Sequence, residues 1–174
     1  ELLQIRDGEK QWQGAIERLM HSFGLALLVA DNLYPRVAQW VDNTHLRGRL
    51  VYYRVRDQQA NRQRFPDLHK DSLVHKLAIK PDSAFYPWLV HETARRFNLA
   101  CCDHQEQFRR EKSAITINGQ IKRPDGRHEK DDRFAVNDPS RFVLGWSNRE
   151  KVAALEQQAN RQETELANRA TRLS

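Results

Sequence analysis

Apolar residues near both ends of the chain recur with the spacing of an amphipathic helix. At the start they fall three and four positions apart, with one polar exception: Leu2, Ile5, Glu9, Trp12, Ile16, Leu19 and Phe23. Near the other end the same kind of seam is formed by Val152, Leu155, Ala159, Leu166 and Leu173. Both patterns are typical of coiled coils. A helix as polar as 147–174 is unstable alone, so we expect the two terminal helices to pair in antiparallel orientation.

Between these ends, short strands and helices alternate. Apolar runs and β-branched residues predict strands at 25–30, 50–55, 76–79 and 99–102, and helices at 33–41, 85–97 and 103–110. The pair Asn118-Gly119 predicts a tight hairpin turn. Phe23–Leu28 aligns with Phe97–Cys102, and each is followed by a further helix and strand. The pattern therefore predicts an α+β domain built from two related half-domains.

These elements divide the chain into three predicted parts. Residues 1–14 are an incoming coiled-coil arm, residues 15–146 are the globular domain, and residues 147–174 are an outgoing arm. The two halves of the domain are expected at about 15–70 and 71–146. The chain has no initiator methionine, and we expect it to be a segment of a longer protein.

Composition excludes several classes of protein. Hydrophobic residues make up 39% of the chain and charged residues 30%, and no apolar run approaches the roughly 18 residues that a membrane-spanning helix needs. The two cysteines, Cys101 and Cys102, are neighbours on a predicted strand and point to opposite faces. A disulfide between them would be strained, so we interpret them as buried thiols in a reducing cytoplasm.

Positive charge is concentrated in one stretch of the first half. The net charge is +6, and six arginines fall in this stretch beside two tyrosines: Arg47, Arg49, Arg54, Arg56, Arg62 and Arg64. Basic residues interleaved with aromatic residues suit contact with phosphates and stacking on bases. The stretch is a candidate DNA-binding surface. The competing interpretation is a strand whose arginines are simply solvated.

Motifs for enzymatic chemistry are missing from the sequence. No Gly-x-x-x-x-Gly-Lys-Ser/Thr phosphate loop is present, so this segment is not expected to hydrolyse ATP. Pro81-Asp82 and Pro124-Asp125 resemble the start of a nuclease motif, but no Asp-x-Lys or Glu-x-Lys completes it. We predict no catalytic residue, no metal ligand and no cofactor in this segment.

The order of these elements resembles the hinge domain of SMC-type chromosome-organising ATPases. Hinges of that family have a helix, a strand, a strand that starts with Gly-Arg and a Thr-x-x-Gly hairpin, in this order. The corresponding stretches of this sequence are, in turn, Ala15–Leu19, Leu25–Val29, Gly48–Tyr52 and Ile115–Gly119. The resemblance covers essentially the whole chain. It implies a homodimer through the hinge, with an interface near four residues: Gly48, Gly119, Thr116 and Gly126. One departure is that a charged run, 127–133, stands where the family usually has glycines.

A narrower resemblance is to the JetC (MksF or EptC) subunits of Wadjet plasmid-defence systems, within the MukB-like and SbcC-like SMC proteins. The matching stretches are His45–Val55, Gly126–Arg133 and Val143–Asn148. This resemblance implies a bacterial, cytoplasmic and nucleoid-associated parent that extrudes DNA loops. ATP and Mg²⁺ would bind in head domains outside this segment, and the partners would be kleisin, KITE and nuclease subunits, with weak, non-specific DNA contact.

Two other interpretations of the sequence stay open. The chain is alternatively a stand-alone, basic nucleic-acid-binding module whose terminal helices are only its ends. A third alternative is an unrecognised hydrolase, which metal-dependent cleavage by the isolated segment would reveal. A dimer that persists at high salt favours the hinge, whereas a monomer that binds duplex DNA strongly favours the binding module.

Overall fold

A computed structural model describes residues 2–56, 64–147 and 149–173 of the chain. Pro35 and Pro87 each stand in the first turn of a helix, where the missing N–H has no partner to lose. In chain order the elements are β1 (Leu3–Ile5), a 3-10 turn (Asp7–Trp12), α1 (Gln13–Gly24), β2 (Leu27–Ala30), α2 (Tyr34–Asn43), β3 (Tyr52–Val55), a 3-10 turn (Leu73–Lys76), β4 (Leu77–Ile79), α3 (Tyr86–Phe97), β5 (Ala100–Cys102), α4 (Gln105–Arg110), β6 (Ala114–Thr116), β7 (Ile121–Lys122), β8 (His128–Glu129), a 3-10 turn (Pro139–Arg141) and α5 (Arg149–Leu173).

The predicted repeat corresponds to two parallel strand–helix–strand units. In the first half β2 pairs with β3 from Leu27–Tyr52 to Ala30–Val55, with α2 as the crossover. In the second half β5 pairs in parallel with β6, with α4 as the crossover, and β7 and β8 extend that sheet in antiparallel fashion. Each unit follows a helix, α1 or α3. The α+β prediction and the order helix–strand–helix–strand in both halves are confirmed.

The incoming coiled-coil arm predicted at 1–14 is wrong. Leu3–Ile5 forms β1 and pairs in antiparallel fashion with β4, and helix α1 begins only at Gln13. Leu3 and Ile5 are both buried in the core, as are Trp12 and Ile16. Two apolar residues with one polar residue between them fit a short strand as well as a helix, and burial in the core decides between the two. The described residues 2–56, 64–147 and 149–173 therefore do not form the predicted antiparallel pair of terminal helices.

Both halves contribute to one hydrophobic core. Phe23 of α1 stacks on Trp88 of α3 with ring centroids 6.3 Å apart, and Tyr53 of β3 lies 5.5 Å from Trp88. Phe97 meets Phe23 edge-on at 5.2 Å. Leu73, Leu99 and further buried residues complete the same cluster. The two strand–helix–strand units therefore pack into a single unit, and the bounds at about 15–70 and 71–146 stay a prediction.

The outgoing helix α5 carries the predicted seam without a covering partner in the structure. Val152, Leu155, Ala159 and Leu166 are exposed, and the side chain of Leu173 lies outside the described residues. The helix packs against the 3-10 turn Pro139–Arg141 at its base. No helix in the described part of the chain is long and apolar enough to cross a membrane.

Candidate dimerisation surface and arm exit

Helix α2 and the two strands of its unit carry several exposed apolar side chains. No residue of α2 is fully buried. Its half-buried residues are Tyr34, Val37, Ala38 and Val41. In a strand–helix–strand unit the helix runs back along its sheet, so α2 ends near the start of β2 and β3. The exposed apolar side chains of this region, which we call the α2 face, are Leu25 (59% exposed), Leu27, Leu33, Trp40 (57% exposed) and Leu50.

The four residues predicted at a dimer interface fall into two groups. Thr116 and Gly119 belong to the β6–β7 hairpin and are covered by their own chain: the Thr116 hydroxyl accepts the Gln120 N–H at 3.1 Å, and a Cβ on Gly119 would meet Arg18 and Val136. Gly48 and Gly126 lie in exposed loops; a Cβ on Gly48 would lie 3.7 Å from the Leu46 carbonyl oxygen, and one on Gly126 would meet nothing within 4 Å. Gly48 follows α2 and so adjoins the α2 face.

Some of the six arginines predicted to bind DNA form ion pairs with carboxylates of the same chain. Asp31 binds Arg54 at 2.5 Å and lies 3.8 Å from Arg56, and the Arg54 guanidinium also stacks over the Tyr34 ring. Arg64 lies 3.9 Å from Asp67, and both side chains are exposed. Within the described residues no carboxylate lies within 4 Å of Arg47 or Arg49, both of which are exposed. Arg62 lies outside the described residues.

The segment that leads to α5, residues 131–147, crosses α1 and is called the exit strap here. Glu17 of α1 is buried, and its carboxylate accepts the backbone N–H of Val143 at 2.7 Å and that of Leu144 at 3.0 Å. Burial raises the pKa of Glu17, and the two N–H groups oppose that rise. Arg18 donates to the Phe134 carbonyl at 2.7 Å and pairs with Asp132 at 3.3 Å. Neighbouring residues of α1 therefore hold both ends of the strap.

Two glycines of α1 allow the exit strap to lie against the helix. A Cβ on Gly14 would overlap the Val136 carbonyl oxygen, and a Cβ on Gly24 would lie 2.8 Å from the Val143 side chain and 2.9 Å from that of Leu144. Only glycine permits this close approach at Gly14, because the opposing group is backbone. A cleft of about 240 Å³ remains between α1 and the strap, lined by Arg18, His21 and Phe134 among others.

The described residues contain no cluster suited to metal chemistry and no activated thiol. No group of three metal-ligating side chains is found among them. Cys101 and Cys102 are buried and free, as predicted, and burial raises the pKa of Cys101 to about 12 and that of Cys102 to about 11. Such thiols stay protonated at neutral pH and are poor nucleophiles.

Sequence reasoning missed the α2 face and the role of Glu17. Leu33, Val37 and Trp40 have the spacing of an apolar helix stripe, but that pattern predicts burial in the chain's own core as readily as an exposed surface. Glu17 stands in the middle of the amphipathic helix α1, on the side that faces the core. An acidic residue at a core-facing position was the available signal.

Comparison with known proteins shows the fold. No protein-family model matches the chain, and no curated protein matches it. The asymmetric dimer of the Geobacillus stearothermophilus SMC hinge domain superimposes with a TM-score of 0.54 at 16% sequence identity, over 94% of this chain and 66% of that one. The Pyrococcus furiosus Smc hinge domain with an extended coiled coil gives a TM-score of 0.49 at 19% identity, over 96% of this chain and 57% of that one.

The chain therefore has the fold of SMC hinge domains. It spans slightly less than two thirds of the Geobacillus chain and a smaller share of the Pyrococcus chain. The prediction of a hinge-like α+β domain is thereby confirmed at the level of the fold.

Proposed function

We propose that this chain is the hinge of an SMC-like DNA-organising ATPase and joins two copies of its parent protein. The observation that carries the proposal is the hinge fold combined with the uncovered α2 face. The structural neighbour with a TM-score of 0.54 is described as a dimer, which supports the same assembly here. The fold, its two related halves and the exposed surface together favour a binding module over an enzyme.

The proposed interface is the α2 face of one copy against the α2 face of a second copy. Monomeric proteins rarely expose contiguous apolar patches of more than a few hundred Å². A two-fold dimer covers the same patch on both copies at once, so Leu33 and Trp40 would pack against their symmetry mates. Gly48, in the loop after α2, adjoins this interface and stays a candidate, as does Gly126 in its separate exposed turn. Thr116 and Gly119 are no longer proposed, because their own chain covers them.

The mass of the chain in solution tests this proposal. Light scattering should give a dimer that persists in 0.5 M salt, since apolar contacts are not screened by ions. Trp40→Asp should convert it to a monomer with an unchanged circular dichroism spectrum. Ile117→Asp is the matched control, because Ile117 is also an exposed apolar residue but lies in the second half. A wild-type monomer would contradict the proposal.

The finer proposal concerns the parent protein. The resemblance to JetC subunits supports a bacterial, nucleoid-associated parent that binds ATP and Mg²⁺ in its heads and extrudes DNA loops with kleisin and KITE partners, while a nuclease subunit cuts plasmid DNA. Trp40→Asp introduced into the full parent should then reduce plasmid clearance in the host. Full clearance by a parent shown to carry a monomeric hinge would contradict this role.

Weak DNA contact is a second candidate function, supported by Arg47 and Arg49, which are exposed and pair with no carboxylate of the described residues. Arg47 also has a φ of 48°, a left-handed backbone conformation that is uncommon outside glycine. In fluorescence anisotropy with a short duplex, changing both residues to Glu should lower the affinity and flatten its dependence on salt. Arg127→Glu, at an exposed arginine already paired with Glu129, is the matched control. Equal affinities for the double variant and the parent chain would refute this contact.

A further inference from the structure

Glu17 contacts the part of the chain that links the globular domain to α5. Its carboxylate accepts the N–H groups of Val143 and Leu144, and the next residues are bound to β1: the Gly145 N–H donates to the Leu3 carbonyl at 2.8 Å, and the Trp146 N–H donates to the Gln4 side chain at 3.4 Å. These four consecutive N–H groups are all held by the domain. The last of them, that of Trp146, stands three positions before the start of α5 at Arg149.

The exit strap also carries the base of α5. Its 3-10 turn, Pro139–Arg141, packs against the helix. The Glu17 carboxylate thus acts on α5 through the backbone of the strap, which packs against the base of that helix.

The strap is held at separate points rather than along its whole length. Apart from the short 3-10 turn, residues 131–147 have no regular secondary structure, and none of these side chains is buried. A cleft separates part of the strap from α1. Segments with few buried contacts open at low cost in free energy. The Glu17 carboxylate is a buried acceptor of two N–H groups, so it contributes a large part of the free energy that keeps the exit strap on α1.

We infer that Glu17 is a positioning residue: by clamping Val143 and Leu144 on α1, it fixes the direction in which α5 leaves the domain. Release of the clamp would let the strap lift and α5 swing, while the shared core stays intact. The inference takes from the proposed function only that α5 is the start of an arm. It does not depend on which surface makes the dimer.

Two measurements on the whole chain test the clamp. In Glu17→Ala, NMR hydrogen exchange of the Val143 and Leu144 amides should accelerate by about tenfold or more, because hydrogen bonds to charged groups are the stronger kind. Spin labels on Glu163→Cys in α5 and Lys80→Cys in the domain should report a broader distance distribution, measured in samples diluted with unlabelled chain. The native cysteines are buried and should not take the label.

Two matched variants distinguish a specific role of Glu17 in fixing the direction of α5 from a general loss of stability of the domain. Glu17→Gln keeps one oxygen acceptor in place and should retain most of the amide protection and the narrow distance distribution. Glu9→Ala removes a carboxylate that pairs with Lys76 at 2.7 Å but does not touch the strap, and it should change neither measurement. An unchanged distance distribution in folded Glu17→Ala would overturn the inference, as would equal broadening in Glu9→Ala.

A second route covers the case in which Glu17→Ala does not fold. Gly24→Ala pushes on the side chains of Val143 and Leu144 without touching the carboxylate, and it should broaden the same distance distribution. Unchanged distances in that variant would then count against the clamp. Light scattering on each variant keeps this test separate from the proposed dimer: a monomeric wild-type chain contradicts the dimer, whereas a dimer with unaltered arm distances contradicts the clamp.

Discussion

Trp88→Ala tests whether the two halves share one core. Trp88 is 8% exposed, belongs to α3 in the second half, and packs against Phe23 and Tyr53 of the first half. Truncating a buried tryptophan costs about 3–5 kcal/mol, and a domain of this size is stable by about 5–15 kcal/mol in total. A loss near 4 kcal/mol with a urea slope of about 2 kcal/mol per M lowers the unfolding midpoint by about 2 M.

The assay is urea unfolding at one fixed protein concentration, followed by circular dichroism and by tyrosine and tryptophan fluorescence. Both signals should move together to the lower midpoint, because loss of Trp88 weakens both halves at once. Trp146→Ala is the control: Trp146 is 45% exposed, and its loss should shift the midpoint by less than about 0.5 M. A biphasic curve for Trp88→Ala, or a shift no larger than the control's, would refute the shared core.

Further predictions concern the thiols, their titration and the glycines of α1. Cys101 and Cys102 should resist a thiol reagent at pH 8 and both react in urea, whereas rapid reaction of the native chain would contradict their burial. Their folded-state pKa values, about 12 and about 11 against 9.0 unfolded, mean that the unfolded chain loses these protons first as pH rises. The thiols should therefore lower stability progressively above about pH 9, and a Cys101→Ala, Cys102→Ala chain should lose less stability between pH 9 and 11 than the parent does. Gly14→Ala should displace the exit strap and lower the unfolding free energy by about 1–3 kcal/mol, whereas Gly8→Ala, in open space, should change it little; equal effects would contradict the close approach at Gly14.

The order of elements could be predicted from the sequence because local patterns determine it. The strands after α1 and α3, the helices with Pro35 and Pro87 in their first turns, and the Asn118-Gly119 turn all depend on residues close together in the chain. The first residues were assigned wrongly for the same reason. Leu2, Ile5 and Trp12 fit a helical seam by spacing, but pairing of β1 with β4 is a contact across more than 70 residues that no local pattern encodes.

The candidate surfaces were predictable only in part. Among the described residues no carboxylate pairs with Arg47 or Arg49, whereas Asp31 pairs with Arg54 and lies 3.8 Å from Arg56, from a position that only the fold brings close. Gly119 resembles an interface residue in the sequence, yet Arg18 and Val136 cover it. The proposed hinge function accordingly rests on the fold and on the α2 face, since the described residues do not form the expected pair of terminal helices.

Sedimentation equilibrium of the chain over a range of concentrations tests the central claim most directly. The account predicts a species of about 41 kDa, twice the 20.5 kDa chain, that persists in 0.5 M salt and is lost in Trp40→Asp. A 20.5 kDa species at every concentration, in a chain with native circular dichroism, would show that this hinge-like fold does not join two copies.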